Sequence, residues 1–192
     1  MKSKRLKSVL ALILCLVLCL SFTACSSSED EDTVTNTNDA TAGGSDITLP
    51  ESFEMPEEAN KLVSVLEGDA YEGVIYLSTY RSSGYFFING ASLTLDANLY
   101  LTDASGEGVK TKYQDVKVAL WQKGASEADY IDTVHFTADG TNQTYTFQNL
   151  QSGGEYRISI TYSDIGSYRV NGKFRVTSVS ATGSEEETAA TE

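Results

Sequence analysis

An all-β chain whose folded part is a single antiparallel β-sandwich of about 7–8 strands is what this sequence predicts, on three observations. Short rows of alternating apolar and polar residues recur from about residue 70, the clearest running Leu93, Leu95, Ala97, Leu99, Leu101. Tyrosine and β-branched residues dominate this stretch, and Gly/Asn/Asp/Ser clusters punctuate it. No proline follows Pro56.

The elements before the sandwich differ in kind. Lys2, Lys4, Arg5 and Lys7 form a basic region ahead of an apolar run from Val9 to Leu20. That run, about 12 residues, is too short for a hydrocarbon core that needs roughly 20 helical residues, so it reads as a signal-peptide h-region. The following Phe22-Thr23-Ala24-Cys25 resembles the bacterial lipobox, with Phe22 where Leu is usual. The resemblance implies a signal peptide over 1–24, cleavage between Ala24 and Cys25, and diacylation of Cys25. The mature chain would then sit on the extracytoplasmic face of the cell membrane, because two acyl chains hold where one is marginal. Ser26 gives no sign of an inner-membrane retention residue. Cys15 and Cys19 would leave with the signal, so no disulfide is expected.

Charge is unevenly spread. The chain carries 14 basic and 27 acidic residues, a net of −13. Without the four cations of the signal the net is −17, of which residues 25–69 carry −11, residues 70–180 only −2, and residues 181–192 −4. Such acidity argues against nucleic acid as a partner, since phosphate binding needs a basic footprint. Residues 25–50, rich in Ser, Thr, Asn and Asp, are expected to be a disordered acidic tether, and residues 181–192 a disordered tail. Glu29-Asp30-Glu31-Asp32 reads as a solvated spacer rather than a collector of Ca²⁺.

Over 51–69, Pro56-Glu57-Glu58-Ala59 predicts the start of a short helix, with Ala59, Leu62, Val63 and Leu66 near one face and Gly68 as its cap. A strand over Leu62–Leu66 competes with it. The sandwich is expected over 70–180, with strands at Val74–Tyr80, Tyr85–Ile88, Ala91–Leu101, Val116–Trp121, Ile131–Thr137, Thr144–Phe147, Glu155–Tyr162 and Tyr168–Val176. Parity separates two Asn-Gly pairs. A turn at Asn89-Gly90 would set Ile88 against Ala91 and Phe86 against Leu93, predicting a hairpin. A turn at Asn171-Gly172 would set Val170 against Lys173, so one strand through Asn171, bulged at Gly172, is expected instead.

Val116-Lys117-Val118-Ala119-Leu120-Trp121-Gln122-Lys123-Gly124 resembles the V-x-V-x-L-[W/Y]-x-x-G strand of CnaB-type surface-protein repeats. Phe136–Gly140 and Tyr145–Leu150 follow in that family's order. Leu150–Tyr156 is similar to the fibronectin type III tyrosine corner, with Tyr156 as its structural tyrosine. The resemblance covers residues 116–162 and implies an immunoglobulin-like or prealbumin-like sandwich used as a stalk or adhesive module. Ala91–Leu101 has no lysine and Tyr156–Tyr162 no acid, so the isopeptide cross-link common in CnaB modules is not expected.

No catalytic constellation stands out. The single histidine, His135, lies between Val134 and Phe136 on the opposite strand face, and nothing resembles G-x-S-x-G. Asp129, Asp132 and Asp139 are not a recognisable carboxylate pair, because separation in space decides that chemistry. Asp103–Gly108 reads as a turn rather than a Ca²⁺ loop. No metal, cofactor or phosphate loop is implied.

The candidate binding residues are Trp121 and Tyr100, both of outward parity, and Arg157, Arg169, Lys173 and Arg175. Those four cations would form a basic stripe if the last two strands pair; edge protection by Arg and Lys competes with that reading. The expected function is a non-catalytic structural, adhesive or ligand-binding display module at the cell envelope. Its partners would be the membrane and a cell-wall polymer, glycan or another envelope protein. A carbohydrate-binding module using exposed aromatics is the first alternative and an envelope hydrolase the second.

Overall fold

The computed structural model describes residues 38–163 and 168–180 of the 192-residue chain. The signal region, Ala24 and Cys25 of the lipobox, and the acidic tail from residue 181 lie outside the described residues.

Alternation produces strands throughout, and no helix forms among the described residues. In order they are β1 (Asn38–Asp39), β2 (Thr41–Ala42), β3 (Lys61–Glu67), β4 (Ala70–Leu77), β5 (Tyr80–Ser82), β6 (Phe86–Ile88) and β7 (Ser92–Thr102). There follow β8 (Asp115–Lys123), β9 (Ala128–Thr137), β10 (Asp139–Gln148), β11 (Glu155–Thr161), β12 (Arg169–Thr177) and β13 (Val179–Ser180). The first sheet runs β1-β9-β8-β11-β6-β13, with β5 also on β11; the second runs β2-β10-β7-β12-β4-β3. Among the described residues, only β1 pairs in parallel.

The inner rows of the two sheets make one core. Val116, Val118, Leu120, Ile158 and Ile160 of the first sheet and Leu93, Leu95, Leu99, Val170 and Phe174 of the second are each at most 2% exposed. Burying a side chain of this size contributes roughly 1.5–3 kcal/mol. The all-β sandwich is therefore the fold, with more strands than the alternation alone predicts: β1, β2, β3 and β13 are added, and β8, β9 and β10 run longer than expected.

Four expectations are corrected. The helix over 51–69 does not form: β3 pairs with β4 in unbroken register from Lys61↔Tyr76 to Glu67↔Ala70. Leu62 and Leu66 fit a helical face and also, with Ser64 between them, one row of a strand. The two-residue turn Gly68-Asp69 decides for the strand, Gly68 taking φ +62 at its first position as a type II′ turn requires.

Of the tether expected over 25–50, residues 25–37 lie outside the described residues, and from Asn38 the expectation does not hold. From there β1 adds to the edge of β9 and β2 to the edge of β10, and Ile47 is buried. Its polar composition is compatible with order because edge strands supply main-chain partners that solvent would otherwise provide. The sandwich thus includes described residues from Asn38 on, well before residue 70.

Asn89-Gly90 is not a hairpin. Strands β6 and β7 belong to different sheets, and neither Asn89 nor Gly90 has the positive φ of a type I′ turn. The chain crosses between sheets there, Asn89 donating from its N–H to Ser178 O (2.8 Å) and from Nδ2 to Val179 O (2.9 Å). Parity could not exclude this, since Phe86, Ile88 and Leu93 share one core whether their strands lie side by side or on opposite sheets. Strand β12 does run straight through Asn171, but without the bulge expected at Gly172: its register with β4 and β7 is unbroken.

Candidate functional site

The sandwich leaves two outer faces, and the candidate residues divide between them. Strand β11 joins the first sheet and β12 the second. The basic stripe therefore does not exist, because Arg157 sits on the opposite sheet from Arg169, Lys173 and Arg175. The latter three are engaged locally. Arg175 Nε lies 3.0 Å from Glu72 Oε1, Lys173 Nζ donates to Ile47 O (2.5 Å), and Arg169 donates to Tyr168 O (3.0 Å). Lys173 thus holds part of the segment expected to be free tether, as does Asn142, whose Nδ2 donates to Asp46 Oδ1 (2.6 Å).

Tyr100 and Trp121 are separated in the same way. Tyr100, on β7 of the second sheet, is 39% exposed beside a cavity of about 240 Å³ that Leu49, Phe53, Met55 and Lys173 also line. Trp121 is on β8 of the first sheet, so the two rings cannot share a platform.

Around Trp121 the first sheet assembles a different group. The register of β8 on β9 shifts between Leu120↔Asp132 and Trp121↔Tyr130, leaving Ile131 as an extra residue. This bulge puts Tyr130 where strict alternation would have put Ile131. Tyr130 is 55% exposed and meets part-buried Trp121 edge-on, with centroids 5.5 Å apart and planes at 71°. On the other side of Trp121, β11 places Arg157 directly opposite it. The Arg157 guanidinium lies 5.1 Å from the ring centre of Tyr85, which precedes β6, and Lys123 Nζ is 5.4 Å from the same ring. Lys123 is also held by Glu155 (2.5 Å). Tyr130, Trp121, Arg157 and Tyr85 thus form a row crossing the strands of one outer face. Tyr130 and Tyr85 carry no periodic signal; the Tyr85-Phe86-Phe87 run is the one sequence hint of the latter.

Beyond Arg157 along β11, the Tyr80 hydroxyl bonds Ser82 Oγ (2.5 Å), and Ser82 bonds Ser159 (2.8 Å). The bond to Ser82, then Ser159, lowers the Tyr80 hydroxyl pKa from its ordinary 10.0, with the Arg157 charge adding to the effect against partial burial.

Elsewhere polar groups are engaged with one another. His135 Nδ1 and Asp115 Oδ1 are 2.7 Å apart, in a recess that Asp39, Lys112 and Thr137 also line. Among the described residues no hydroxyl or thiol is hydrogen-bonded to that ring. Asp132 accepts from Asn38 Nδ2 (2.7 Å) and its own neighbour Thr133 N (2.8 Å), while Asp139 accepts from Thr141, so these carboxylates serve different local partners. Asp103 Oδ1 closes its loop by accepting from the N–H of Ser105 and of Glu107 and from Ser105 Oγ; the Ser105 hydroxyl above all holds its pKa down. A cavity of about 570 Å³, lined by Tyr100, Val109, Lys110, Gln114 and Asp139, lies away from the aromatic row. No group of three or more His, Cys, Asp or Glu among the described residues is placed to hold a metal ion.

No family model matches the chain, and no curated protein matches it. Among solved structures it is similar to the carbohydrate-binding module CBM36 in complex with calcium and xylotriose, at 13% identity and a TM-score of 0.31, over 65% of this chain and 92% of that one. A likeness this distant does not bear on the site.

Proposed function

We propose that this chain is a lipid-anchored, non-catalytic display module on the extracytoplasmic face of a bacterial cell membrane, and that it binds an extended glycan or cell-wall polysaccharide across the outer face of its first sheet. The observation that carries the binding reading is the row Tyr130, Trp121, Arg157 and Tyr85. Aromatic faces are electron-rich and attract the C–H groups of a pyranose ring, while the guanidinium can donate to its hydroxyls. A row crossing strands about 4.8 Å apart suits a linear polymer better than a small enclosed ligand. The anchor rests on the basic region, the short apolar run and the Phe22–Cys25 lipobox. Display at the envelope is supported by the resemblance of Val116–Gly124 to surface-protein repeats.

The test is a glycan and cell-wall polysaccharide array probed with the full chain and with Trp121→Ala. Binding that Trp121→Ala abolishes supports the reading; binding unaffected by it, or none, sinks it. An envelope hydrolase has one observation in its favour, the His135–Asp115 pair, but among the described residues no nucleophile is bonded to that ring.

A further inference from the structure

Edge strands are normally protected, because their unpaired N–H and C=O groups invite another chain. Among the described residues, three of the four ends of the two sheet paths are β1, β2 or β13, strands of two residues each, and β5, off the path on β11, has three. The fourth end is β3, seven residues long and in unbroken register with β4. Its inward positions are Leu62, Ser64 and Leu66, and its outer face shows Lys61, Val63, Val65 and Glu67. Val63 and Val65 are 48% and 37% exposed. It has no proline, bulge or inward-pointing charge, and its two charges, Lys61 and Glu67, stand at its ends.

The free groups of this edge follow from the turn. A two-residue hairpin makes its flanking residues, Glu67 and Ala70, a hydrogen-bonded pair. Alternation then turns the main-chain groups of Lys61, Val63, Val65 and Glu67 toward β4. A Cβ on Gly73 would lie 2.5 Å from Val63 O, in keeping with that direction. The N–H and C=O groups of Leu62, Ser64 and Leu66 therefore face away from the sheet, and no other described backbone or side chain bonds them.

We propose that β3 is a self-association edge, pairing antiparallel with β3 of a second copy about a two-fold axis at Ser64. The sequence Lys61-Leu62-Val63-Ser64-Val65-Leu66-Glu67 is self-complementary about that point. Ser64 meets Ser64 and Leu62 meets Leu66 as hydrogen-bonded pairs, using the groups that are free. Val63 meets Val65 on the outer face, at the closer spacing of a non-bonded pair. Lys61 faces Glu67 of the second copy at both ends, where opposite charges across strands stabilise. Slipping the register by two residues keeps the parity but sets Lys61 or Glu67 against valine and removes both charge pairs. The interface is isologous and closes, so it gives a dimer with one continuous twelve-stranded sheet rather than a fibre.

The test is sedimentation equilibrium of the full chain in detergent, with micelles in excess over protein. The parent is expected to be dimeric. Lys61→Glu alone and Glu67→Lys alone each oppose like charges at both ends and should weaken association about tenfold or more. The double swap K61E/E67K restores the opposite pairs and should recover the parent affinity. A monomeric parent, single variants that associate as the parent does, or a double swap that fails to recover would each overturn the proposal.

Discussion

Gly172 on β12 packs so closely on β7 that a Cβ there would lie 2.1 Å from the carbonyl oxygen of Asn98, and its φ of +149 is one that residues with side chains rarely adopt. Gly90, the glycine of the other Asn-Gly pair, would bring a Cβ near nothing within 4 Å and has no positive φ. Gly172→Ala should therefore cost on the order of 3 kcal/mol or more, and Gly90→Ala well under 1 kcal/mol. Urea unfolding of the two variants, each of which adds one methyl group to the parent at superficially similar motifs, measures the contrast.

The Tyr156 hydroxyl accepts the N–H of Gln151 at 2.9 Å, and the ring is 1% exposed. Tyr156→Phe keeps the packing and leaves a main-chain donor without its partner at the turn into β11. A loss of about 1–2 kcal/mol is expected in denaturant unfolding, with the fold retained by circular dichroism.

Asp139, where the chain enters β10, contributes stability that depends on pH. Burial works against its charge, but bonds from Thr141 Oγ1 (2.6 Å) and N–H (2.9 Å) outweigh it, so its pKa falls below the ordinary 3.8. A carboxylate lowered on folding stabilises at pH above its unfolded value, and loses that contribution as pH falls through the folded one. Asp139→Ala should thus be less stable than the parent at pH 6, and the gap should narrow below about pH 4. Unfolding midpoints across that range would show it; a gap independent of pH would contradict it.

Exchanging aromatic residues on the two outer faces separates their roles. Trp121→Ala and Tyr130→Ala each disrupt the ring pair at 5.5 Å, whereas Tyr100→Ala removes a ring from the other sheet. If polysaccharide binds the first sheet, calorimetric titration should show affinity reduced at least tenfold by the first two changes and unaltered by the third.

Lipidation is checked apart from binding. Intact-mass measurement on membrane-extracted protein should find a chain beginning at Cys25 with a diacylglyceryl mass added. Cys25→Ala should lack that mass and leave the membrane fraction; an unlipidated wild-type chain would refute the anchor.

How far the sandwich could be read in advance varies from residue to residue. The row from Leu93 to Leu101 is a local pattern, and its inward residues are each at most 3% exposed. The parity argument that carried one strand through Asn171 succeeded because a turn would have set Val170 against Lys173. At Asn89-Gly90 the same argument failed, since apolar rows meet equally well beside each other in a hairpin or across a core. Of the six suggested binding residues, Trp121 and Arg157 fall on the aromatic row. Tyr100, Arg169, Lys173 and Arg175 lie on the other sheet, because outward parity does not say which sheet is outward. Tyr130 was hidden by a bulge, which reverses parity at a single residue without altering composition.

By itself the sequence determined the strand-forming character of the chain, the inner rows of its long strands and the uneven charge, all carried by residues close together in the chain. It also contained the self-complementary order of Lys61–Glu67, though not the fact that this segment is an edge. Tertiary structure alone decided which strands share a sheet and that residues 38–50 join the sandwich. It likewise assembled the row of Tyr130, Trp121, Arg157 and Tyr85. Those outcomes depend on main-chain hydrogen bonds between residues tens of positions apart, which are the same for nearly every side chain and so leave little trace in composition or period.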